Sequence, residues 1–234
     1  HEVPLDACGA DSQGAIGYEF QQALQNEYHR RSIQKGAATV ITQMLVDKND
    51  PAFQKPSKPI GSFMDEAEAK RRESEMSWSV VEDAGRGWRR VVPSPLPKKI
   101  LELDSVKLLL NAGVTVITVG GGGIPVVDKG KGEHQGVAAV IDKDFASSLL
   151  AQEIGAELFL IATAVEKVAI NFGKPEQKWL DKMTLAEAKQ YLAEGTHFAK
   201  GSMAPKVQAI TWFLENGGKK ALITNPENIG PALG

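Results

Sequence analysis

Three lysines stand where a lysine can meet an anion. Lys143 is followed by Asp144 at the predicted start of one helix, and Lys206 closes Gly201-Ser202-Met203-Ala204-Pro205-Lys206 at the start of another. Lys58 lies among prolines in Pro56-Ser57-Lys58-Pro59-Ile60-Gly61, a stiff setting for a residue that must reach across a cleft. A helix N-terminus offers unpaired N–H groups and the positive end of a dipole. A lysine added there suits a phosphate, and a carboxylate such as Asp144 can hold the ammonium groups. A lysine alone at a helix start is disfavoured by ~0.3–1 kcal/mol, a conflict that an anion beside it removes. Each feature also has a plainer reading. Asp144 serves as well for a helix cap beside a solvated Lys143, Lys206 can turn to water, and Lys58 can be a surface linker residue.

The second candidate is backbone. The predicted strand Val114 to Val119 runs into Gly120-Gly121-Gly122-Gly123 and then Ile124-Pro125. Glycines delivered to the edge of a sheet let a ligand approach the main chain, although such a loop can also simply turn the chain. No Gly-x-x-x-x-Gly-Lys-Ser/Thr occurs, and Pro125 stands where a dinucleotide fingerprint needs its third glycine, so both familiar glycine loops lose ground. Asp83-Ala84-Gly85-Arg86-Gly87-Trp88-Arg89-Arg90 reads as a phosphate cluster or as bracing ion pairs, with bracing favoured for Arg89 and Arg90. His1, His29, His134 and His197 have no ligand spacing, which argues against a zinc site, and no metal-ligating residue is assigned. Without Gly-x-Ser-x-Gly or an activating base near Cys8, covalent hydrolysis has little support.

Composition narrows the class. At 234 residues, 42% hydrophobic and 24% charged, the chain can bury a substantial core. A net charge of −2 argues against nucleic-acid or membrane-surface binding, so positive charge must act locally. The single cysteine, Cys8, cannot form an internal disulfide and fits a reducing, cytoplasmic setting. No apolar run approaches the ~20 residues of a membrane span. The chain opens on His1-Glu2-Val3-Pro4 and stops at Pro231-Ala232-Leu233-Gly234, so it reads as cut at both ends.

The elements that would position these groups follow from periodicity. Asp11 or Ser12 is expected to cap a helix over 11–33 with Ile16, Phe20, Ala23, Leu24 and Tyr28 on its apolar face. Residues 37–46 read as one strand covered on both faces. The proline-rich, charged stretch 47–97, with Trp78 and Trp88, reads as a protruding insertion holding a hairpin and a short helix over 65–75. Thereafter helices and strands alternate. Asp104 caps a helix to Asn111, and Asp142 caps one to Ile154. A strand over 157–163 follows, then a Thr184/Glu187 capping box, a helix from Ser202 to Asn216 and a strand over 220–224. This rhythm implies an α/β fold with a doubly wound, mostly parallel sheet sandwiched by helices, and ligands at the carboxyl ends of its strands.

Nine segments in order, among them Pro4-Leu5-Asp6-Ala7-Cys8-Gly9-Ala10, Lys58-Pro59-Ile60-Gly61, Asp83-Ala84-Gly85-Arg86-Gly87, Gly120 to Pro125, Ile141-Asp142-Lys143-Asp144 and Gly201-Ser202-Met203-x-Pro205-Lys206, resemble the carbamate kinases of the amino-acid kinase family. The resemblance spans essentially the whole chain. It implies one amino-acid kinase domain over 1–234 with 47–97 as its protruding subdomain, a homodimer, and reversible phosphoryl transfer between ATP and carbamate with Mg²⁺, run physiologically toward ATP. It further implies that Lys143 and Lys206 contact the transferring phosphoryl group and nucleotide phosphates. By the same resemblance Asp144 organises those lysines, Lys58 reaches the carbamoyl phosphate and Gly120, Gly121, Gly122 and Gly123 border the phosphate site. The segment Thr163-Ala164-Val165-Glu166-Lys167-Val168, with Thr163, Ala164 and Val168 as its contacts, and Met203 would lie along the nucleotide.

In-line phosphoryl transfer asks mainly for charge neutralisation and positioning, and carbamate is already an anion, so no general base is required. Relative to the family, the first strand with Gly-Gly-Asn-Ala, the later Gly-Asn-Gly-Pro loop and the last strand are expected to be missing. Two rivals remain at this point. One is an amino-acid kinase acting on a larger acid, and the other is an impaired fragment acting only as a nucleotide-binding or dimerisation module.

Overall fold

A computed structural model of the chain describes residues 3–83 and 85–234. His1, Glu2 and Ala84, the last within the predicted glycine-arginine cluster, lie outside the described residues. The chain divides into two compact units, His1–Asp142 and Lys143–Gly234.

The first unit opens with α1 (Leu5–Arg30), β1 (Ala37–Thr39) and β2 (Gln43–Val46). The helix starts six residues earlier than expected, behind Pro4 rather than at a cap on Asp11 or Ser12, and Ser12 Oγ instead donates back to the Cys8 carbonyl at 2.9 Å. Its packed side also differs. Ile16, Phe20 and Ala23 are exposed, whereas Gln13 and Gly17 are buried. Gly17 is buried because the helix lies close on β1: a Cβ there would come within 2.3 Å of Thr39 Cγ2.

The strand expected over 37–46 is two strands, broken at Val40–Thr42. The side-chain amide of Gln13 takes the place of a neighbouring strand at the break. Thr42 N donates to Gln13 Oε1 at 2.8 Å, and Gln13 Nε2 donates to Thr42 O at 3.2 Å. A buried backbone needs such partners, and an apolar run does not reveal where they change.

Next come β3 (Lys58–Met64), α2 (Glu66–Met76), β4 (Ser79–Glu82) and β5 (Trp88–Val92). The strands form a three-stranded antiparallel sheet in the order β3-β5-β4. Asp65 caps α2 by accepting from Glu68 N at 2.8 Å, and the helix lies one residue from the expected bounds. Arg89 and Arg90 brace this region, as the sequence favoured. Arg89 Nη2 donates to Gly61 O at 2.8 Å, and Arg90 lies over Trp78 with its guanidinium carbon 4.6 Å from the ring centroid.

The unit closes with β6 (Pro97–Ile100), α3 (Leu103–Asn111), β7 (Thr115–Ile117), β8 (Ile124–Gly130) and β9 (Glu133–Gly136). Glu102, not Asp104, occupies the cap position of α3, and its carboxylate instead accepts from Gln43 N and Nε2. The pairings β1–β7 and β2–β8 are parallel, while β6 and β9 join as antiparallel edges in the order β6-β2-β8-β9. Met44, Ile100, Val106 and Ile141 are among its most buried side chains.

The second unit contains α4 (Lys143–Glu153), β10 (Leu158–Ala162), β11 (Val168–Ile170), β12 (Lys178–Leu180), α5 (Leu185–Glu194), α6 (Met203–Glu215), β13 (Lys220–Thr224) and the short α7 (Ile229–Leu233). β10 and β13 pair in parallel, and β11 and β12 form an antiparallel hairpin that periodicity did not resolve. The predicted capping box of α5 is present, and Gly195 ends that helix with φ +67°. Phe159, Ile161, Val168, Val207, Phe213 and Ile223 build the core. The architecture is α/β, and the strand pairs β1–β7, β2–β8 and β10–β13 are parallel as the alternating rhythm implied.

Candidate active site

In the first unit the glycine loop has the strained backbone that only glycine adopts cheaply. Val119 sits at φ +48°, and the 3₁₀ turn Gly120–Gly122 leads into Gly123 at φ +85°. Gly122, at φ +108°, packs so closely that a Cβ would lie 2.4 Å from the Ile141 carbonyl oxygen. Gly121, at φ +65°, has no atom within 4 Å of where its Cβ would stand, so its main chain is open to approach. Gly120, Gly121 and Gly123 border a largely apolar cavity of about 450 Å³ that α1 also lines. Behind the loop, buried Thr42 accepts from Val119 N at 3.1 Å and meets Thr118 Oγ at 2.6 Å, which fixes the loop's entry.

Lys58 opens β3, with its register set opposite Val92. Its Nζ donates to Asp142 Oδ2 at 2.8 Å. The structure thus brings Lys58 and the glycine loop to adjacent residues, Asp142 and Ile141. Sequence reasoning had used Asp142 only as a helix cap. The available signal was the alternation Asp142-Lys143-Asp144, two carboxylates flanking a lysine.

In the second unit Lys143 is exposed at the start of α4, and Asp144 beside it is buried. Lys206, in the first turns of α6, is buried as well, so the alternative that it turns to water does not hold. Its ammonium donates to both oxygens of Asp144, at 3.1 and 2.9 Å. A two-pronged contact of this kind offsets part of the desolvation cost that both charges incur. Lys206, Met203, Thr163 and Ala164 line one cavity of about 200 Å³. Thr163 directly follows β10, so the cavity opens at the carboxyl end of a parallel strand, where open α/β sheets bind ligands. Val168 does not line it. Its side chain belongs to the core, while its neighbours Lys167 and Ala169 reach the cavity.

Lys167 belongs to the segment Thr163 to Val168 that the resemblance lays along the nucleotide, whereas the cavity's Phe172 and Trp179 escaped the sequence reading. Lys167 is held by Asp181 at 2.7 Å, and that hydrogen bond keeps its ammonium above the ordinary lysine value. Phe172 and Trp179 meet edge to face, with centroids 6.3 Å apart, and remain substantially exposed. The signal for the pair was weak: two aromatics seven residues apart, astride a hairpin that was not foreseen.

A sequence profile of the amino acid kinase family matches residues 18–225. A carbamate kinase of Thermococcus kodakarensis is 53% identical over 98% of this chain and 72% of its own length. A carbamate kinase-like protein of Escherichia coli is 52% identical over 99% of this chain and 73% of its own. Among solved structures, carbamate kinase from Giardia lamblia bound to AMP-PNP superposes with a TM-score of 0.91 at 43% identity, covering 99% of this chain and 73% of that one. With a family profile matched over most of its length and relatives half identical over nearly all of it, the chain belongs to the amino acid kinase family, in its carbamate kinase branch.

Proposed function

We infer that the chain catalyses reversible phosphoryl transfer between ATP and carbamate, giving ADP and carbamoyl phosphate. Relatives about half identical over nearly the whole chain support this chemistry and do not favour the binding-module alternative. The observation within the fold that carries the reading is Lys206, whose buried ammonium lines a cavity at a strand's carboxyl end while both oxygens of Asp144 hold it. Such a fixed cation supplies what phosphoryl transfer needs, charge placed in advance where phosphate oxygens will sit.

In this reading Lys143 and Lys206 serve the transferring phosphoryl group and the nucleotide phosphates, and Asp144 orients Lys206. Lys58 serves the carbamoyl phosphate, carried there by the segment 47–97 acting as a subdomain. The open main chain at Gly121, with Gly120, Gly122 and Gly123, borders the phosphate. Thr163, Ala164 and Met203 line the nucleotide, with Val168 supporting it from the core.

Mg²⁺ accompanies the nucleotide and would neutralise phosphate charge. Among the described residues no group of three His, Cys, Asp or Glu side chains could hold a metal ion. In kinases Mg²⁺ is commonly carried mainly on substrate phosphates. Among the described residues no helix is long and apolar enough to cross a membrane. The reading also carries a homodimer and a cytoplasmic setting.

The test is ATP formation from ADP and carbamoyl phosphate with Mg²⁺, run beside acyl phosphates of larger acids. ATP from carbamoyl phosphate alone is expected. ATP only from a larger acyl phosphate would assign a different amino acid kinase reaction.

A further inference from the structure

We propose that Asp142 is a positioning residue that fixes Lys58 against the glycine loop, an inference that rests on the carbamoyl phosphate reading above. The argument begins with the lysine. Pairing with β5 sets the backbone of Lys58, but four rotatable carbons leave its ammonium free to sweep a wide arc. The 2.8 Å hydrogen bond to Asp142 removes that freedom. Asp142 can act as an anchor because it is itself fixed: it is only 9% exposed. The residue before it, Ile141, is 1% exposed and has its carbonyl against Gly122.

A continuous line of packed atoms therefore runs from Gly122 through Ile141 and Asp142 to Lys58. It ties the placement of the cation to the placement of the loop. The Lys58 side chain keeps 36% exposure, against 12% for Asp142, so the anchored ammonium still faces solvent on one side. An ammonium has three donors, and the one given to Asp142 leaves two for an incoming anion.

The experiment measures steady-state ATP formation by the full chain and by Asp142→Asn, Asp142→Glu, Lys58→Ala and the double variant Lys58→Ala/Asp142→Asn. Each KM is resolved for carbamoyl phosphate and ADP. Asp142→Asn is expected to lower kcat/KM for carbamoyl phosphate by up to about 10²-fold, the scale of a misplaced contact, with the KM for ADP unmoved. Asp142→Glu, which keeps the charge, is expected to recover part of the loss. In the Lys58→Ala background the Asn change should cost no more than about two-fold further, because the group it positions is gone.

Equal shifts in both KM values, additive losses in the double variant, or no recovery by Glu would overturn the proposal and leave Asp142 a structural brace. Where Asp142→Asn does not fold, Asp142→Glu and Lys58→Ala carry the same comparison of the two KM values. No ATP from the folded parent chain would overturn the carbamoyl phosphate reading itself, an outcome distinct from activity that ignores Asp142.

Discussion

Each unit of the molecule carries a lysine–carboxylate pair that joins distant parts of its sequence, Lys58 with Asp142 and Lys206 with Asp144, and the two pairs are built differently. In the second unit the Lys206 and Asp144 side chains are 11% and 7% exposed and bonded twice. In the first unit Lys58 and Asp142 are 36% and 12% exposed and bonded once. A buried pair costs desolvation on both sides, so removing one partner takes a compensating charge away from the other where water cannot readily replace it. A pair whose cation is open to solvent on one side contributes less stability and leaves that cation within reach of a ligand. The same two residue types thus give a fixed electrostatic fixture in one unit and an anchored, reachable cation in the other.

The largest way to break the contrast is Lys206→Met. Removing a partner of buried Asp144 should cost about 3–5 kcal/mol of stability. Turnover should fall by roughly 10²–10³, the loss of one preorganised charge donor. Chemical unfolding and ATP formation check the two effects. Separation of the two effects is not expected here, because the pair is buried. It survives at exposed Lys143, where Lys143→Ala should lower turnover while changing stability by about 0.5 kcal/mol or less.

Lys58→Ala should also separate the effects, with turnover falling roughly 10²-fold and stability by about 1 kcal/mol or less. Gly122→Ala then sharpens the comparison from the loop side. Its φ of +108° and the 2.4 Å approach to Ile141 O should cost about 1–3 kcal/mol. The shift should be passed to Asp142 and appear as a higher KM for carbamoyl phosphate.

The smallest effect concerns pairs on the open surface. The hydrogen bonds to Glu68 from Arg72 and Arg71, and to Glu187 from the backbone and side chain of Thr184, hold those carboxyls below the ordinary value of 4.5. A carboxyl lowered on folding gives stability that is present above its unfolded value and is lost as pH falls through the folded one. A modest decline in unfolding midpoint below about pH 4.5 is expected, and Glu187→Gln should flatten part of it.

Much of this was legible in the chain. The Thr184/Glu187 box, the helix after Asp65 and the strand Lys220–Thr224 came from local signals, caps and β-branched runs, that act within a few residues. The start of α1 and its packed face were not legible. Gln13 and Gly17 are buried because Thr42 and Thr39 lie against them, and those contacts join residues 29 and 22 positions apart. The lysines could be named from their helix starts, but not their burial. Whether Lys206 reaches water depends on Asp144, 62 residues away, and Lys58 finds its partner 84 residues on. Asp142 was hidden because a carboxylate at a helix start has a sufficient local explanation as a cap.

The most direct measurement sets Lys58→Ala beside Lys206→Met, each assayed for ATP formation from carbamoyl phosphate and ADP and for chemical unfolding under the same conditions. Both variants should lose turnover, with only Lys206→Met losing several kcal/mol of stability. Normal turnover in Lys58→Ala, or a Lys206→Met chain as stable and as active as its parent, would contradict the assignment of a reachable cation to one unit and a fixed one to the other.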